Sequence, residues 1–488
     1  MLLHSTLGAS SLLAGAPIGA PQALAAQGRQ THEISNLFSS PELSSPCWSP
    51  SPVKGQPPRC QNQGNTFLPL SPLDEARTLI VGYHPDSEDF IEDLARALLE
   101  EKAAQEIRLL ILVPEGDLAR TSRTLGARFA ARRLLAQGRV DLRSAVSPNN
   151  TWLQDAMEIG WSPANGSPIL YDLPHFESDR AAQNLATTCS LQRLDPASTS
   201  VNISRDQAQN HGGNWEALPG ALLMNLQGAD PDLIQDITLR APDIRRTELR
   251  AEWLEVGHVD ELFSVIPVPA GERGEQCAFA LAVASPALAL ELARRGGGAT
   301  PLEPPLSHAN PKEHPLSKER LGCIADLNSS VGGTPLTANE ALRCKALREA
   351  NQEFEKLIRH ELDRLLVDIT RASGCDSIPV IRLPVLFKPG HRLSQESFER
   401  VHKLRHPPRT RWSGARAINP NPINGISLNS LLLIPEQSHP GFSGAIEEAI
   451  QELAPGVKTR FIPTPHVHFL GGEAHCGTNV IRSCTSPL

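Results

Sequence analysis

TLIVGYH at residues 78–84, DSEDFIEDLARALLEEKAAQ at 86–105 and RLLILVP at 108–114 follow one another with little between them. The first and last are short, unbroken apolar runs rich in β-branched and aliphatic side chains, the pattern of a buried strand. The middle piece places Ile91, Leu94, Ala95 and Leu98 at helical spacing, with charge between them. Strand, helix and strand in immediate succession predict an α/β domain.

The same texture continues outward. A second helix is predicted near residues 118–137 and a third strand at VDLRSAV, 140–146. HVDELFSVIPV (258–268) and CAFALAVASP (277–286) read as strands, followed by the helix ALALELARR (287–295). Residues 298–340 are rich in Pro and Gly and read as an excursion. A long helix over 338–372 carries Leu347, Ala350, Phe354, Leu357, Ile358 and Leu365 on one face. SLLLIP (430–435) and KTRFIP (458–463) are late strands. No exact sequence repeat is visible. Polar candidates fall between strands at four distant places, which suits a radial architecture with loops meeting at one centre.

The 488 residues carry a net charge of −8, with no basic stretch to offset it, which argues against a nucleic-acid partner. Two tyrosines and three methionines stand against 42 prolines and 35 glycines, a loop-rich balance. Residues 27–74 are rich in Ser, Pro, Gln and Asn and read as a linker ahead of a domain at 75–488. Before it, residues 1–26 are apolar and small, and Ala23-Leu24-Ala25 fits a signal-peptide cleavage site. The run has no Lys or Arg ahead of it and is too interrupted to span a membrane. Secretion to an extracellular compartment is the expectation, with a cytoplasmic location the alternative. Nine cysteines suit an oxidising compartment, and Cys47/Cys60 and Cys323/Cys344 could each close a short loop. An odd count leaves at least one thiol free.

Four stretches carry the chemistry: TWLQDAMEIGW (151–161), HGGNWEALPG (211–220), GHVDELFS (257–264) and GGEAHCGTN (471–479). Each has an ordinary reading. Trp152 suits a core, His258 a packed histidine, Asp155 and Asp260 caps, and Cys476 a buried small hydrophobe. His258 and Asp260 lack a recognised zinc spacing. Together, however, they match one task. A planar, permanently charged guanidinium needs carboxylates at its edge and an apolar wall for its stem. Breaking its C–N bond needs a nucleophile and an acid. Two aspartates, a tryptophan, a histidine and a cysteine supply that set.

These motifs resemble the protein-arginine deiminases of the wider guanidino-group-modifying superfamily. The resemblance rests on W-x-Q-D-x-M-E-x-G at Trp152–Gly160 and G-N-x-E at Gly213–Glu216. It continues in W-L-x-V-G-H-V-D-E at Trp253–Glu261 and G-E-x-H-C-G-T-N at Gly472–Asn479. It implies a five-bladed α/β propeller over residues 75–488, preceded by a short, loop-rich N-terminal segment. It implies that Cys476 is the nucleophile, that Asp155 and Asp260 bind the guanidinium, and that His258 is the acid and then the base. Trp152 would line the channel. The implied activity converts arginine in proteins or peptides to citrulline, releasing ammonia through a covalent Cys476 thiouronium. A deiminase of free arginine or agmatine, and a catalytically silent secreted binding protein, are the alternatives. The resemblance also implies Ca²⁺, held by the side chains of Gln154, Glu158 and Glu216 and the carbonyls of Gly212 and Trp215. A second calcium site is expected to be lost, because Ala156, Leu173 and Phe176 stand where ligands belong and only Asp172 remains. Animal enzymes grip the substrate backbone with arginines, and Glu177 and Leu470 stand at those places here. Cys476 is expected to be free rather than bridged to Cys484. Oligomeric state is not readable.

Overall fold

The computed structural model describes residues 47–48, 58–62, 64–114, 116–146, 151–173, 181–196, 208–227, 229–268, 277–304, 336–392, 410 and 412–485. The body is built from small mixed sheets with helices between their strands. One order recurs five times: a strand, an antiparallel partner, a helix, and a strand parallel to that partner. It runs through Met157–Ser162, Ser167–Asp172, helix Ala181–Cys189 and Gln192–Leu194. It returns in Trp215–Leu218, Ala221–Met224, helix Pro231–Arg240 and Arg245–Glu248. Phe263–Pro267, Phe279–Ser285 and Val380–Pro384 repeat it around the helices Pro286–Arg295, Ala338–Arg343 and Lys345–Ser373. Ile426–Leu428, Leu431–Pro435, helix Pro440–Leu453 and Lys458–Ile462 repeat it again.

The fifth instance joins the two ends of the described chain. Its leading strand is Thr478–Ser483, antiparallel to Glu75–Gly82. Helix Glu88–Glu100 follows, then Arg108–Pro114, parallel to Glu75–Gly82, with Val140–Val146 added at the edge. The stretch that opened the sequence reading therefore forms as expected. Leu109 to Val113 have no exposed surface, and Ile91, Leu94, Ala95 and Leu98 are buried beneath them. A continuous apolar strand is what a parallel sheet covered on both faces requires.

Three local expectations change. The helix predicted over 118–137 is two, Leu118–Ala127 and Phe129–Ala136. The one predicted over 338–372 begins with a separate turn, capped by a reciprocal Thr337–Glu340 box, before Lys345–Ser373. Gly374, at φ 69°, ends that long helix in the left-handed conformation favoured by glycine. The stretch 258–268 is strand only from Phe263, because residues 259–261 form a 3-10 turn. The end of the expected linker is also packed: Phe67, Leu68 and Leu70 are buried, and Leu68–Pro69 pairs with Trp161–Gly160.

Disulfides tie these pieces together. Cys47 bonds Cys189, Cys60 bonds Cys484 and Cys277 bonds Cys375. The expected Cys47/Cys60 pair is thus replaced by two long-range links, and Cys323 lies outside the described residues. Closing such long loops restricts the unfolded chain more than a short loop would. Cys476 is free, and Cys484 is already committed to Cys60. Among the described residues no helix is long and apolar enough to cross a membrane.

Candidate active site

Each of the five leading strands begins just after a polar segment, and these segments meet. Gln154 and Asp155 sit on the buried turn Leu153–Ala156, ahead of Met157–Ser162. His211 precedes the 3-10 turn Gly212–Asn214, and His258 precedes the turn Val259–Glu261 that carries Asp260. Asn421 and Asn424 precede Ile426–Leu428, and His475 and Cys476 precede Thr478–Ser483.

Glycines allow the close approach. A Cβ on Gly212 would lie 2.0 Å from the Gln154 carbonyl oxygen, and one on Gly213 would lie 2.4 Å from His258 Nδ1. A Cβ on Gly472 would lie 2.5 Å from the Trp152 ring, so Trp152 packs directly on the chain leading to Cys476. Any side chain at these positions forces apart the groups it separates. Glu473 anchors that same segment. Its carboxylate accepts from Thr464 Oγ1 at 2.7 Å, from Asn421 N at 3.0 Å and from His468 Nδ1 at 2.5 Å.

Cys476 is 6 % exposed. Its Sγ donates toward Asp260 Oδ2 at 3.6 Å and receives the Asn424 side-chain amide at 3.2 Å. The Gln154 N–H donates to the Cys476 carbonyl at 3.3 Å, joining the two segments. Burial raises the thiol well above its ordinary pKa, and the charges of Asp260 and Asp155 add to this. His475 Nδ1 meets Asp260 Oδ2 at 2.9 Å. Burial works against protonation of His475, but Asp260, Glu216 and Glu158 outweigh it and bring His475 up to about 9. Across the site, His258 Nδ1 lies 3.6 Å from Asp155 Oδ1, and the His211 ring meets His258 edge-on at 6.0 Å.

Asp155 Oδ1 and Asp260 Oδ1 are buried with no hydrogen-bond partner among the described residues. A buried carboxylate oxygen left so is costly. The pair, beside a buried thiol, has the acceptor chemistry that a flat cation with several N–H donors would need.

Beside His475 lies a cavity of about 50 Å³ lined by Gln154, Glu158, Trp215, Glu216, His475 and Arg482, among others. Gln154 Nε2 donates to Glu158 Oε2 at 3.0 Å. Burial pushes Glu158 up to about 8 and Glu216 up to about 7, and each falls back as a cation approaches. Two buried carboxylates and an amide oxygen in one cavity have the donor chemistry of a hard divalent cation. Gly212 does not line this cavity, and its carbonyl accepts the Trp215 N–H within the turn. Asp172 is held by Arg193 at 2.8 Å, and Ala156 and Leu173 are buried in apolar clusters. Phe176 and Glu177 lie outside the described residues. Asp155, His211 and His258 also bring ligand-type atoms within 4.8 Å of one another.

Residues 234–487, more than half of the chain, match the family model for protein-arginine deiminase (PAD). The chain belongs to the protein-arginine deiminase family. It is similar to protein-arginine deiminase type-3 of Homo sapiens, 25% identical over 366 residues, covering 69% of this chain and 47% of that protein. It is similar also to type-4 of Mus musculus, 26% identical over 360 residues, covering 68% and 47%. The chain thus spans about half the length of these curated relatives. Among solved structures, agmatine deiminase of Enterococcus faecalis aligns at 12% identity and a TM-score of 0.49, over 89% of this chain and 99% of that one.

Against the deiminase motifs, the structure adds residues to which the sequence reading gave no role. Asn424 touches Cys476 through both side-chain atoms, and His475 pairs with Asp260. Arg416 is another. It lines a pocket with Cys476, Asn424 and Gly472, and a Cβ on Gly471 would lie 2.6 Å from its Nη2. Its Nε pairs with Glu255 Oε2 at 2.8 Å. Leu470, where an arginine was looked for, ends helix Pro465–Leu470 and is half-buried. A signal for Asn424 existed: four of the five leading strands were already preceded by chosen residues, and NPNPING precedes the remaining one.

Proposed function

We propose that this chain is a hydrolase that converts arginine to citrulline, with protein- or peptide-bound arginine as its substrate. The observation that carries this reading is the pair of buried oxygens without a hydrogen bond, Asp155 Oδ1 and Asp260 Oδ1, beside the lone free thiol among the described residues. They would take the guanidinium N–H groups, and Trp152 would wall the arginine stem. The incoming positive charge offsets the two carboxylates that hold the Cys476 thiol high, so substrate itself favours the thiolate.

The thiolate attacks the guanidinium carbon, forming an S–C bond and a tetrahedral adduct. The C–N bond breaks, and ammonia leaves with a proton from His258. His258 then takes a proton from water as it adds to the thiouronium carbon. The S–C bond breaks as the adduct's remaining hydroxyl proton passes to sulfur, citrulline departs and the thiol is restored. Asn424, on the sulfur, and His475, on Asp260, would position the attacking group and one of the carboxylates that hold the guanidinium nitrogens.

The fold proposed for this chemistry is a five-bladed α/β propeller. Its support is the fivefold strand, strand, helix, strand order and the pairing of Thr478–Ser483 with Glu75–Gly82. Gln154, Glu158 and Glu216, with the Trp215 carbonyl, would hold Ca²⁺, whose charge would fix Gln154 and so the neighbouring Asp155. Secretion is the proposed location, supported by the leader-like residues 1–26 and by the disulfides.

A deiminase of free arginine is the second reading. Leu470 removes one expected backbone grip, and Arg416 is a cation that lies against Gly471. Turnover of a blocked arginine peptide against free arginine separates the two. Peptide should be preferred, and Arg416→Ala should raise its KM about tenfold with kcat little changed. A clear preference for free arginine would reject the peptide assignment.

A further inference from the structure

On the turn after strand Glu75–Gly82 and on helix Pro465–Leu470 lies a second group of metal-ligating side chains, separate from the nucleophile. His84, Asp86 and His466 offer one ligand atom each, and these atoms lie within 4.8 Å of one another. The two imidazoles are stacked, with centroids 5.0 Å apart and planes 9° apart. His466 Nε2 is buried and has no hydrogen-bond partner among the described residues. His84 Nδ1 receives the Asp86 N–H at a long 3.2 Å and lies 3.5 Å from Asp86 Oδ2. Ring packing accounts for the stacking but leaves the buried His466 nitrogen unsatisfied, which is costly.

We propose that His84, Asp86 and His466 form a Zn²⁺ site. Two imidazole nitrogens and one carboxylate oxygen are borderline donors suited to Zn²⁺, with water in the fourth position, and they are a poor set for Ca²⁺. Tetrahedral zinc at about 2.0–2.1 Å from nitrogen needs its ligand atoms about 3.3 Å apart. His84 and Asp86 are a third to a half exposed, so the His84 ring can turn out of the stack, exchange its bond from the Asp86 N–H for the ion, and close that gap.

The ion would clip together two segments distant in sequence. Helix Pro465–Leu470 runs directly into Gly471 and Gly472, which lie against Arg416 and Trp152, and then into Cys476. Zinc at His466 therefore steadies the approach to the nucleophile without touching the substrate. This function is distinct from the oxygen-lined cavity at Glu158 and Glu216.

The test is Zn²⁺ titration of chelator-treated, dialysed full chain by calorimetry, with Co²⁺ absorption as a report on coordination. The site predicts one zinc equivalent that excess Ca²⁺ does not displace, a tetrahedral Co²⁺ spectrum and a raised Tm. His84→Ala and His466→Ala should each weaken that equivalent at least about tenfold, while His211→Ala should leave it intact. His84 is part-exposed, so His84→Ala keeps the fold even where His466→Ala disturbs it. Zinc affinity unchanged in both variants, or lost instead in His211→Ala, would overturn the proposal.

Discussion

Asn424 holds Cys476 with both ends of one amide: its Oδ1 accepts the Cys476 N–H at 3.1 Å and its Nδ2 donates to Sγ at 3.2 Å. The side chain thereby fixes the backbone and the sulfur of the same residue, and its own backbone carbonyl accepts the His475 N–H at 3.1 Å. A donor aimed at sulfur favours the thiolate over the thiol. Asn424→Ala should lower kcat about 10²-fold, in the range of losing one preorganised donor, with KM nearly unchanged. Steady-state kinetics would show this. Equal kcat in the variant would reduce Asn424 to a packing residue.

Stability should fall with rising pH in chelated protein. His475 is raised from 6.5 to about 9, so its contribution is full below pH 6.5 and lost as pH climbs through 9. Glu158 and Glu216 act in the same direction: each is raised from 4.5, so the folded state keeps protons that the unfolded state has released. His475→Gln should flatten the decline between pH 8 and 9. Urea midpoints across pH 6–9 provide the measurement, and identical slopes in variant and parent would contradict the Asp260–His475 pairing.

Calcium binding should tighten with pH. Glu158 at about 8 and Glu216 at about 7 must each lose a proton to ligate an ion. Affinity should therefore rise by about tenfold or more between pH 6.5 and 7.5, with proton release visible in calorimetry. Excess chelator should abolish turnover, and Glu216→Ala should raise the calcium requirement strongly. Asp172→Ala should matter little, since Asp172 is spoken for by Arg193. Full activity in chelator would remove calcium from the account and leave the deiminase reading in place.

The parts of this molecule that were legible in sequence are those where one physical demand dominates. Arg108–Pro114 reads as a strand because a sheet covered on both faces needs an unbroken apolar run. The hairpin Trp215–Leu218 and Ala221–Met224 did not read, because four residues per strand are too few to establish a period. Leu68–Pro69 looked like linker in a Pro- and Ser-rich setting, and its burial comes from pairing with a strand 90 residues later. Cys476, His258, Asp155 and Asp260 were singled out by family motif together with chemical type, and the structure brings all four close together. Asn424 has no reactive type to mark it. Its place in the site comes from contacts with residues distant in sequence, Cys476 above all, 52 positions away. The disulfides follow the same rule: nearness in sequence suggested Cys47/Cys60, and the packed chain placed each beside a distant partner.

Mass spectrometry of an arginine peptide, incubated with calcium and either the parent chain or Cys476→Ser, tests the central claim most directly. The serine keeps the size and burial of residue 476 but not the thiolate. Deimination should appear with the parent as replacement of one guanidino nitrogen by oxygen, with one ammonia released per event. It should be absent with Cys476→Ser, whose thermal unfolding should match the parent. Citrulline formed at the parental rate by Cys476→Ser would contradict covalent catalysis at this sulfur. No citrulline from the parent, with peptide or with free arginine, would contradict the deiminase assignment itself.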